Sequence, residues 1–308
     1  MLMPLFCNAI DVDRKDLCQS KGPLLIASNH PNSFLDAIIF DILFDLPVTA
    51  LARGDAFQNK RIFGILRRLK MLPVYRIREG AENLNSNYDT FNTCIHLLRK
   101  NEAVLIFSEG LCVNEWHLRP LKKGTARLAA QAWDAGIDLK VLPAGINYSS
   151  FRKPGKKIII HLGEALEAGD FDRRGSDGVR HLAFNRELYT RLRPLVYEIE
   201  AADTRELTKK FGKTTFRQRL LLGPLAFLGG ILHVPFYAFA WLVARGFNKA
   251  KVHFDSLMFV TFIMGYPFYL LLAGWLLFVC TSACLSLSLV WLLPLTLACY
   301  MKYDVRKG

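Results

Sequence analysis

Charged residues are absent from two long stretches near the C-terminal end of this sequence. Leu220–Ala244 contains no Asp, Glu, Lys or Arg, and neither does Ser256–Met301. The first stretch is long enough to cross the apolar core of a bilayer once, and the second is long enough to cross it twice. Hydrophobic residues make up 52% of the chain. The sequence therefore predicts contact with a membrane.

Paired cysteines and metal-type cysteine spacings are also missing. The seven cysteines are scattered along the chain, and three of them lie in the apolar C-terminal part. An odd, scattered set argues against a disulfide framework or a zinc site and indicates a reducing compartment. The first ten residues lack the charged leader and long apolar core of a signal peptide. We therefore expect the catalytic part of the chain to stay in the cytoplasm.

The net charge of +13 arises mostly before residue 220, because the last 88 residues hold only six Lys or Arg and two Asp. A basic surface attracts either nucleic acid or an anionic membrane. No nucleic-acid motif and no basic run interleaved with aromatic residues is present. With two apolar stretches in the same chain, membrane lipid is the predicted partner and nucleic acid is not.

Short apolar runs alternate with helical patterns through the first two thirds of the chain. This alternation predicts an α/β fold, with a largely parallel sheet flanked by helices and a C-terminal helical membrane segment. The predicted strands are 24–27, 48–52, 71–75, 103–107, 140–146 and 157–162. We also expect residues 10–27 to form an opening β-hairpin and residues 179–208 to form one long covering helix.

The chain is predicted to divide into a catalytic domain, 1–208, and membrane-anchoring helices, 209–308. Within the tail we expect apolar helices at about 220–245, 257–279 and 284–301. Basic residues flank these segments everywhere except at 281–283, so the positive-inside rule puts that junction alone on the far side of the membrane. Two topologies remain open for 220–245: it enters the membrane and returns, or it spans. We expect the part before residue 220 to fold without the tail.

A His and an Asp occupy the corner between the first long apolar strand and the helical pattern after it. His30 and Asp36 lie in Ser28-Asn-His-Pro-Asn-Ser-Phe-Leu-Asp36. Histidine is suited to taking a proton from a hydroxyl near neutral pH, and a carboxylate on its other nitrogen fixes its tautomer. The same residues also suit a turn in which Asp36 caps the helix.

Four blocks occur in a recognisable order between residues 20 and 165. They are Asn29-His30 with Asp36, Val74-Tyr75-Arg76, Phe107-Ser108-Glu109-Gly110, and Leu142-Pro143-Ala144-Gly145-Ile146. This order resembles the glycerolipid acyltransferase superfamily, the family of glycerol-3-phosphate and lysophosphatidate acyltransferases. One block alone is weak support, but four in order are specific.

The resemblance implies a role for each matching residue. His30 is implied to be the general base that deprotonates the acceptor hydroxyl, and Asp36 its orienting partner. Arg76 is implied to bind the anionic head of the acceptor. The acceptor pocket is implied to contain Ser108, Glu109 and Gly110. The acyl-donor side is implied to be lined by Pro143, with Ala144 and Gly145. Lys122 and Lys123, with Arg119, are candidates to extend the anion site, although such a basic turn is more often simply solvated.

The implied mechanism is direct acyl transfer from a thioester, with no acyl-enzyme, no metal and no cofactor. The donor is an acyl-coenzyme A or an acyl-acyl carrier protein, and the acceptor is a glycerophosphate or a lyso-lipid. An acyl carrier protein is therefore a candidate partner. The chain is expected to be an integral membrane enzyme of phospholipid biosynthesis.

Two departures from the family pattern leave alternatives open. Five residues, not the usual four, separate His30 from Asp36, so Asp41 and Asp45 are alternative partners for the histidine. Leu111-Cys112 replaces the family's common Thr-Arg, which weakens the inference that the acceptor is a phosphate ester. An O-acyltransferase for an amino-acid lipid or another lyso-lipid is therefore an alternative, and an inactive lipid-binding scaffold is a second one from a different class.

Overall fold

The computed structural model of the chain describes seven ranges of residues, separated by short gaps. These are residues 6–57, 60–75, 84–172, 174–212, 216–247, 253–280 and 283–303. Within them the first two thirds of the chain form a layered α/β domain, and the last third forms three long helices.

Seven strands form one sheet in the order β1-β7-β6-β2-β5-β3-β4. All neighbours pair in parallel except β6 and β7, which are antiparallel. Only a short connection joins β6 to β7, and such a connection suits antiparallel neighbours, whereas parallel neighbours need a longer crossover. The predicted fold class is confirmed. The strands are β1 Cys7–Val12, β2 Leu24–Ser28, β3 Val48–Arg53, β4 Met71–Val74, β5 Ala103–Phe107, β6 Lys140–Tyr148 and β7 Lys156–Leu162.

Five α-helices flank the sheet or follow its strands, and a sixth leads toward the tail. Both faces of the central strands are covered, because all five side chains of β2 are buried. Parallel sheets bury both faces in this way, and their central strands read as continuous apolar runs. The helices are α1 Phe34–Leu43, α2 Lys60–Arg68, α3 Leu84–Arg99, α4 Lys123–Asp134, α5 Asp177–Leu192 and α6 Thr204–Phe211.

The predicted hairpin at 10–27 is wrong. β1 lies at the edge of the sheet beside β7, whereas β2 lies near its centre between β6 and β5. A 3₁₀-helix, Lys15–Gln19, occupies the connection. The continuous apolar run of β2 is suited to a strand covered on both faces, and such a position requires neighbours on both sides that a terminal hairpin does not supply.

The long helix predicted at 179–208 is also wrong. α5 ends at Leu192, a single 3₁₀ turn follows at Arg193–Leu195, and α6 begins at Thr204. Pro194 has no N–H for a helical hydrogen bond, and inside a helix its ring clashes with the preceding turn. Asp203 starts the new helix by accepting hydrogen bonds from the first backbone N–H groups of α6.

Three helices form the tail: α7 Phe216–Phe247, α8 Phe254–Cys280 and α9 Ala283–Tyr303. Two segments of the described residues are long and apolar enough to cross a membrane, Leu220–Gly246 and Phe254–Cys280. The third predicted span, 284–301, coincides with α9. α7 continues through Pro224 and Pro235 as one helix of 32 residues. Its path through a membrane stays a prediction.

The tail and the α/β domain share one hydrophobic cluster. It contains Phe6 and Phe40 from the domain together with Phe259 and Phe262 from α8. The rings of Phe6 and Phe259 pack edge to face with centroids 5.4 Å apart. The boundary at residue 208 stays a prediction, but the shared cluster argues against the expectation that the domain folds without its tail.

Candidate active site

His30 and Asp36 meet at the carboxyl end of β2. His30 lies in the turn after the strand, and Asp36 lies in the first turn of α1. The Nδ1 atom of His30 is 2.9 Å from Oδ2 of Asp36. The His30 side chain is 18% exposed and that of Asp36 is wholly buried. The structure thus brings the two predicted residues together despite the five residues between them.

Three donors converge on the carboxylate of Asp36. Oδ2 accepts the Nδ1–H of His30 and, at 2.8 Å, the backbone N–H of Asn32. Oδ1 accepts the hydroxyl of Tyr148 at 2.6 Å. Burial, and secondly the charge of Asp36, hold the pKa of Tyr148 well above its usual value, so this tyrosine stays a donor. A buried carboxylate with three donors is fixed in place.

The alternative partners of His30 lie elsewhere. Asp41 is exposed, with Oδ1 3.4 Å from the Nζ of Lys70. The backbone N–H of Asp45 donates to the carbonyl of Cys18, at the far end of α1. Neither carboxylate approaches the histidine, so Asp36 is the partner in the structure.

An aromatic ring fixes the orientation of the imidazole. Phe107 ends β5, and its ring stacks on that of His30 with centroids 3.8 Å apart and planes 14° from parallel. Strand register explains this contact, since Phe107 lies directly beside Ser28 at the end of β2. The stacking holds one face of the ring while Asp36 holds one edge.

Glu109, which follows β5, accepts a hydrogen bond from the turn that contains His30. Its Oε2 accepts the backbone N–H of His30 at 3.0 Å, and its Oε1 accepts that of Arg119 at 2.9 Å. The side chain is buried, and desolvation raises its pKa to about 7 in spite of both hydrogen bonds. The family resemblance implies a place in the acceptor pocket, and that role stays a prediction.

The other predicted binding residues surround this corner. Ser108 is buried and accepts a hydrogen bond from Thr125. Gly110 has a left-handed φ of 62°, which favours glycine. Lys122 and Lys123 are exposed where α4 begins. Pro143 lies buried within β6, beside Ala27 of β2. Contact of these residues with substrate stays a prediction.

Arg76 lies outside the described residues, but another arginine ends the neighbouring strand. Arg53, the last residue of β3, is in register with Val74 of β4 and pairs with Asp55. Its charge acts on Cys112 and on His253 at the edge of the site. Sequence analysis missed Arg53, although it follows a predicted strand just as Arg76 does.

Cys112 is a half-buried thiol beside the turn. Its Sγ accepts the backbone N–H of Ser33 at 2.9 Å. Burial, and secondly the charge of Asp36, raise the pKa of the thiol. A neutral thiol is a poor nucleophile, and the contact with Ser33 gives Cys112 a part in supporting the turn.

Tyr148 and Phe107 were also missed by sequence analysis. Phe107 is the last residue of a strand whose bounds were predicted correctly, whereas Tyr148 lies two residues beyond the predicted end of 140–146. Only the strand order could have shown that the two residues reach His30 and Asp36. Among the described residues, no group of three or more His, Cys, Asp or Glu is placed to hold a metal ion.

Part of this chain is similar to known proteins. Residues 9–147 match a family model described as Acyltransferase, and this range contains all four sequence blocks. A 1-acyl-sn-glycerol-3-phosphate acyltransferase of Bacillus subtilis (strain 168) is 26% identical over 165 residues, which are 53% of this chain and 77% of that protein. The crystal structure of the 1-acyl-sn-glycerophosphate (LPA) acyltransferase PlsC from Thermotoga maritima aligns with a TM-score of 0.41 and 14% identity, over 59% of this chain and 71% of that one.

Proposed function

Because this chain belongs to the glycerolipid acyltransferase superfamily, we propose that it acylates glycerol-3-phosphate or 1-acylglycerol-3-phosphate from a thioester donor. That the chain is an acyltransferase follows from the family match. The choice of acceptor, the donor and the attachment to a membrane are the proposed parts.

The contact between His30 and Asp36 carries the proposal. With Nδ1–H donated to Asp36, the Nε2 atom is the ring nitrogen that can accept a proton. The carboxylate then stabilises the imidazolium that forms, as in a serine-protease triad. Since no covalent intermediate is needed, the hydroxyl that His30 activates is that of the acceptor.

The reaction follows directly from this arrangement. Nε2 of His30 takes the proton of the acceptor hydroxyl as the oxygen attacks the thioester carbonyl. The tetrahedral intermediate collapses, the carbon–sulfur bond breaks, and the leaving thiolate takes the proton back from the imidazolium. Atoms and charge balance, and the histidine returns to its starting state. General base catalysis of this kind contributes about 10²- to 10⁴-fold.

One arginine at the end of β3, and a second that follows β4 in the sequence, support a phosphate-bearing acceptor. Arg53 ends β3, and Arg76 follows two residues after the end of β4. A guanidinium matches a phosphate through two parallel hydrogen bonds. Leu111-Cys112 at the position of the family's Thr-Arg favours the second candidate, an acceptor such as an amino-acid lipid or another lyso-lipid.

The proposed location is a membrane, with the active site facing the cytoplasmic leaflet. Two apolar helices of the tail are long enough to span, and α8 begins beside the catalytic corner. A site on this side of the membrane would meet lyso-lipid acceptors of the cytoplasmic leaflet.

Product analysis tests the proposal. Purified full-length protein in detergent micelles is given isotope-labelled acyl-coenzyme A or acyl-acyl carrier protein, with glycerol-3-phosphate, 1-acylglycerol-3-phosphate or a lyso-amino-acid lipid as acceptor. Mass spectrometry should detect label in phosphatidate or lysophosphatidate. Label only in the amino-acid lipid would make the second candidate the function, and lipid binding without turnover on any acceptor would favour the scaffold.

A further inference from the structure

We infer that the first turn of α8, in the apolar tail, positions the catalytic turn, so that Asp255 and Ser256 are positioning residues for the reaction. The catalytic turn is defined as residues 29–35. The inference rests on the proposed function of His30, and it assigns the tail a part in catalysis beyond attachment to a membrane.

A buried ion pair joins the tail to the sheet next to the turn. Lys156 at the start of β7 pairs with Asp255 in the first turn of α8, and their side chains are 0% and 1% exposed. The same carboxylate oxygen, Oδ2 of Asp255, accepts the side-chain amide of Asn32 at 2.5 Å. Removing one partner of such a pair leaves a buried charge unpaired, which is strongly destabilising. The pair therefore ties the end of α8 to one residue of the catalytic turn.

Ser256 joins the tail to the same turn at two backbone atoms. Its hydroxyl donates to the carbonyl of Asn32 at 3.1 Å and accepts the backbone N–H of Leu35 at 3.3 Å. The N–H of Leu35 belongs to the first turn of α1, where backbone donors lack partners within the helix. A side chain from the tail thus supplies the acceptor for the helix that carries Asp36.

Ser33, between these two contacts, has a backbone conformation that its surroundings impose. Its φ of 54° and ψ of −142° lie outside the regions that non-glycine residues usually adopt. Cys112 holds its N–H, and His253, just before α8, lies with Nδ1 2.5 Å from the Ser33 hydroxyl. Such a conformation persists where surrounding contacts determine it. One of those contacts comes from the tail.

The contacts divide the catalytic turn into two halves. Asn29, His30 and Pro31 are held by the α/β domain, through Ile146, Glu109 and Asn114. Asn32, Ser33 and Leu35 are contacted from the tail. The backbone N–H groups of Asn32 and Ser33 also donate to Asp36 and Cys112 of the domain.

Asn32 connects the part of the catalytic turn that the tail contacts to Asp36 and His30. Its backbone N–H and the Nδ1–H of His30 share one oxygen of Asp36, Oδ2. A displacement of Asn32 therefore changes the position of the oxygen that orients the histidine. Misplacement of a catalytic group by about 1 Å can cost ~10²-fold in rate, so a loss of the tail contacts reduces turnover.

Ser256→Ala is the sharpest test, because it removes one hydroxyl and leaves the buried ion pair in place. Its matched control is Thr261→Val, which removes a hydroxyl from the same helix. The Thr261 hydroxyl donates to the carbonyl of Leu257, within α8 itself, at 2.8 Å. Both variants are made in the full chain, and kcat, the KM of each substrate, the amount of protein in the membrane fraction and the thermal midpoint are measured.

We expect Ser256→Ala to lower kcat at least about 10-fold, with both KM values, the insertion and the thermal midpoint close to those of Thr261→Val. A Ser256→Ala variant with the kcat of the control would overturn the inference. A loss of kcat that only tracks a loss of folded, inserted protein would overturn it too, since that is a structural role. If wild type and Thr261→Val transfer no acyl chain at all, the proposed function fails and not this inference.

A second variant tests the contact between Asp255 and Asn32 without leaving a buried charge unpaired. Replacing both partners, Lys156→Met with Asp255→Leu, avoids an unpaired buried charge, and such replacements often retain stability. The double variant also removes the acceptor of the Asn32 amide. We expect a folded, inserted protein with reduced kcat and unchanged KM values. Full kcat in the double variant would show that the pair serves folding alone.

Discussion

The hydroxyl of Tyr148 donates to Oδ1 of Asp36 at 2.6 Å, on the opposite oxygen from the one that faces His30. His30 and Asp36 therefore belong to a hydrogen-bonded chain that runs from Tyr148 of β6 through the carboxylate to the imidazole. Tyr148 is wholly buried. Its bond to a carboxylate is of the charge-assisted kind.

Tyr148→Phe removes that hydroxyl and leaves the ring. Loss of a hydrogen bond to a charged group should lower the free energy of unfolding by about 1.5–3 kcal/mol. We expect kcat to fall by about 10-fold while the KM values change little, because Asp36 loses one of the donors that fix it. Steady-state kinetics and thermal denaturation measure the two effects. Tyr197→Phe is the matched control, since the hydroxyl of Tyr197 lies 3.1 Å from Nε2 of His161 and not at Asp36, and it should leave kcat unchanged.

Glu109 makes the stability depend on pH. Burial raises its pKa from an ordinary 4.5 to about 7, so the folded state holds this proton more tightly than the unfolded chain does. Stability should therefore fall as the pH rises from about 4.5 to about 7, by an amount on the order of 3 kcal/mol for this group. Glu109→Gln should lose this part of the pH dependence. Thermal midpoints at pH 5 and pH 8 measure it.

The control for Glu109 is Glu164→Gln, at an exposed position. We expect the control to keep the wild-type difference between the two midpoints. If Glu109→Gln keeps the whole difference as well, the carboxyl of Glu109 does not hold its proton in this range, and the effect of burial has been misjudged.

Arg76 follows β4 in the block where the family resemblance implies binding of the acceptor's anionic head. Arg76→Ala should raise the KM of the acceptor far more than that of the donor, because the change removes binding to one substrate only. Arg76→Lys should restore part of the loss, since a point charge replaces a bidentate group. Substrate-dependence curves for both substrates measure the split. A rise in the donor KM alone would reassign Arg76.

The far end of the α8–α9 pair should lie across the membrane from the active site. α8 begins at the catalytic turn, and Gly155 of the domain lies against the backbone of Met301 near the end of α9. α8 has 27 residues, about 40 Å of helix. In a background with the native cysteines replaced, a membrane-impermeant thiol reagent on intact cells should label Ser282→Cys and not Asn248→Cys. Label at position 248 would mean that the first tail segment spans.

The sequence predicted the α/β layering and the meeting of His30 with Asp36, because both depend on local pattern. Apolar runs of four to seven residues between helical patterns determine the strands. The turn after β2 determines the corner, and α1 begins at Phe34, after the histidine. The additional residue between His30 and Asp36 is accommodated in this turn, so it does not separate the pair.

Contacts that depend on strand order or on the tail were not predictable in this way. Phe107 reaches His30 only because β5 pairs with β2, and Tyr148 reaches Asp36 only because β6 lies on the other side of β2. Lys156 and Asp255 are 99 residues apart, and no periodicity relates them. The buried pair also argues against the expectation that the domain folds without its tail, since residues before 220 contain Lys156 but not its partner.

The central claim is that His30, oriented by Asp36, is the base that activates the acceptor hydroxyl. The most direct measurement is kcat for His30→Ala and Asp36→Asn in the full-length protein, beside Asp41→Asn, whose carboxylate lies exposed near Lys70. We predict a loss of at least ~10²-fold for His30→Ala and nearly as much for Asp36→Asn, with folding and membrane association unchanged and full activity in Asp41→Asn. Activity retained in His30→Ala, or lost in Asp41→Asn and kept in Asp36→Asn, would contradict the claim.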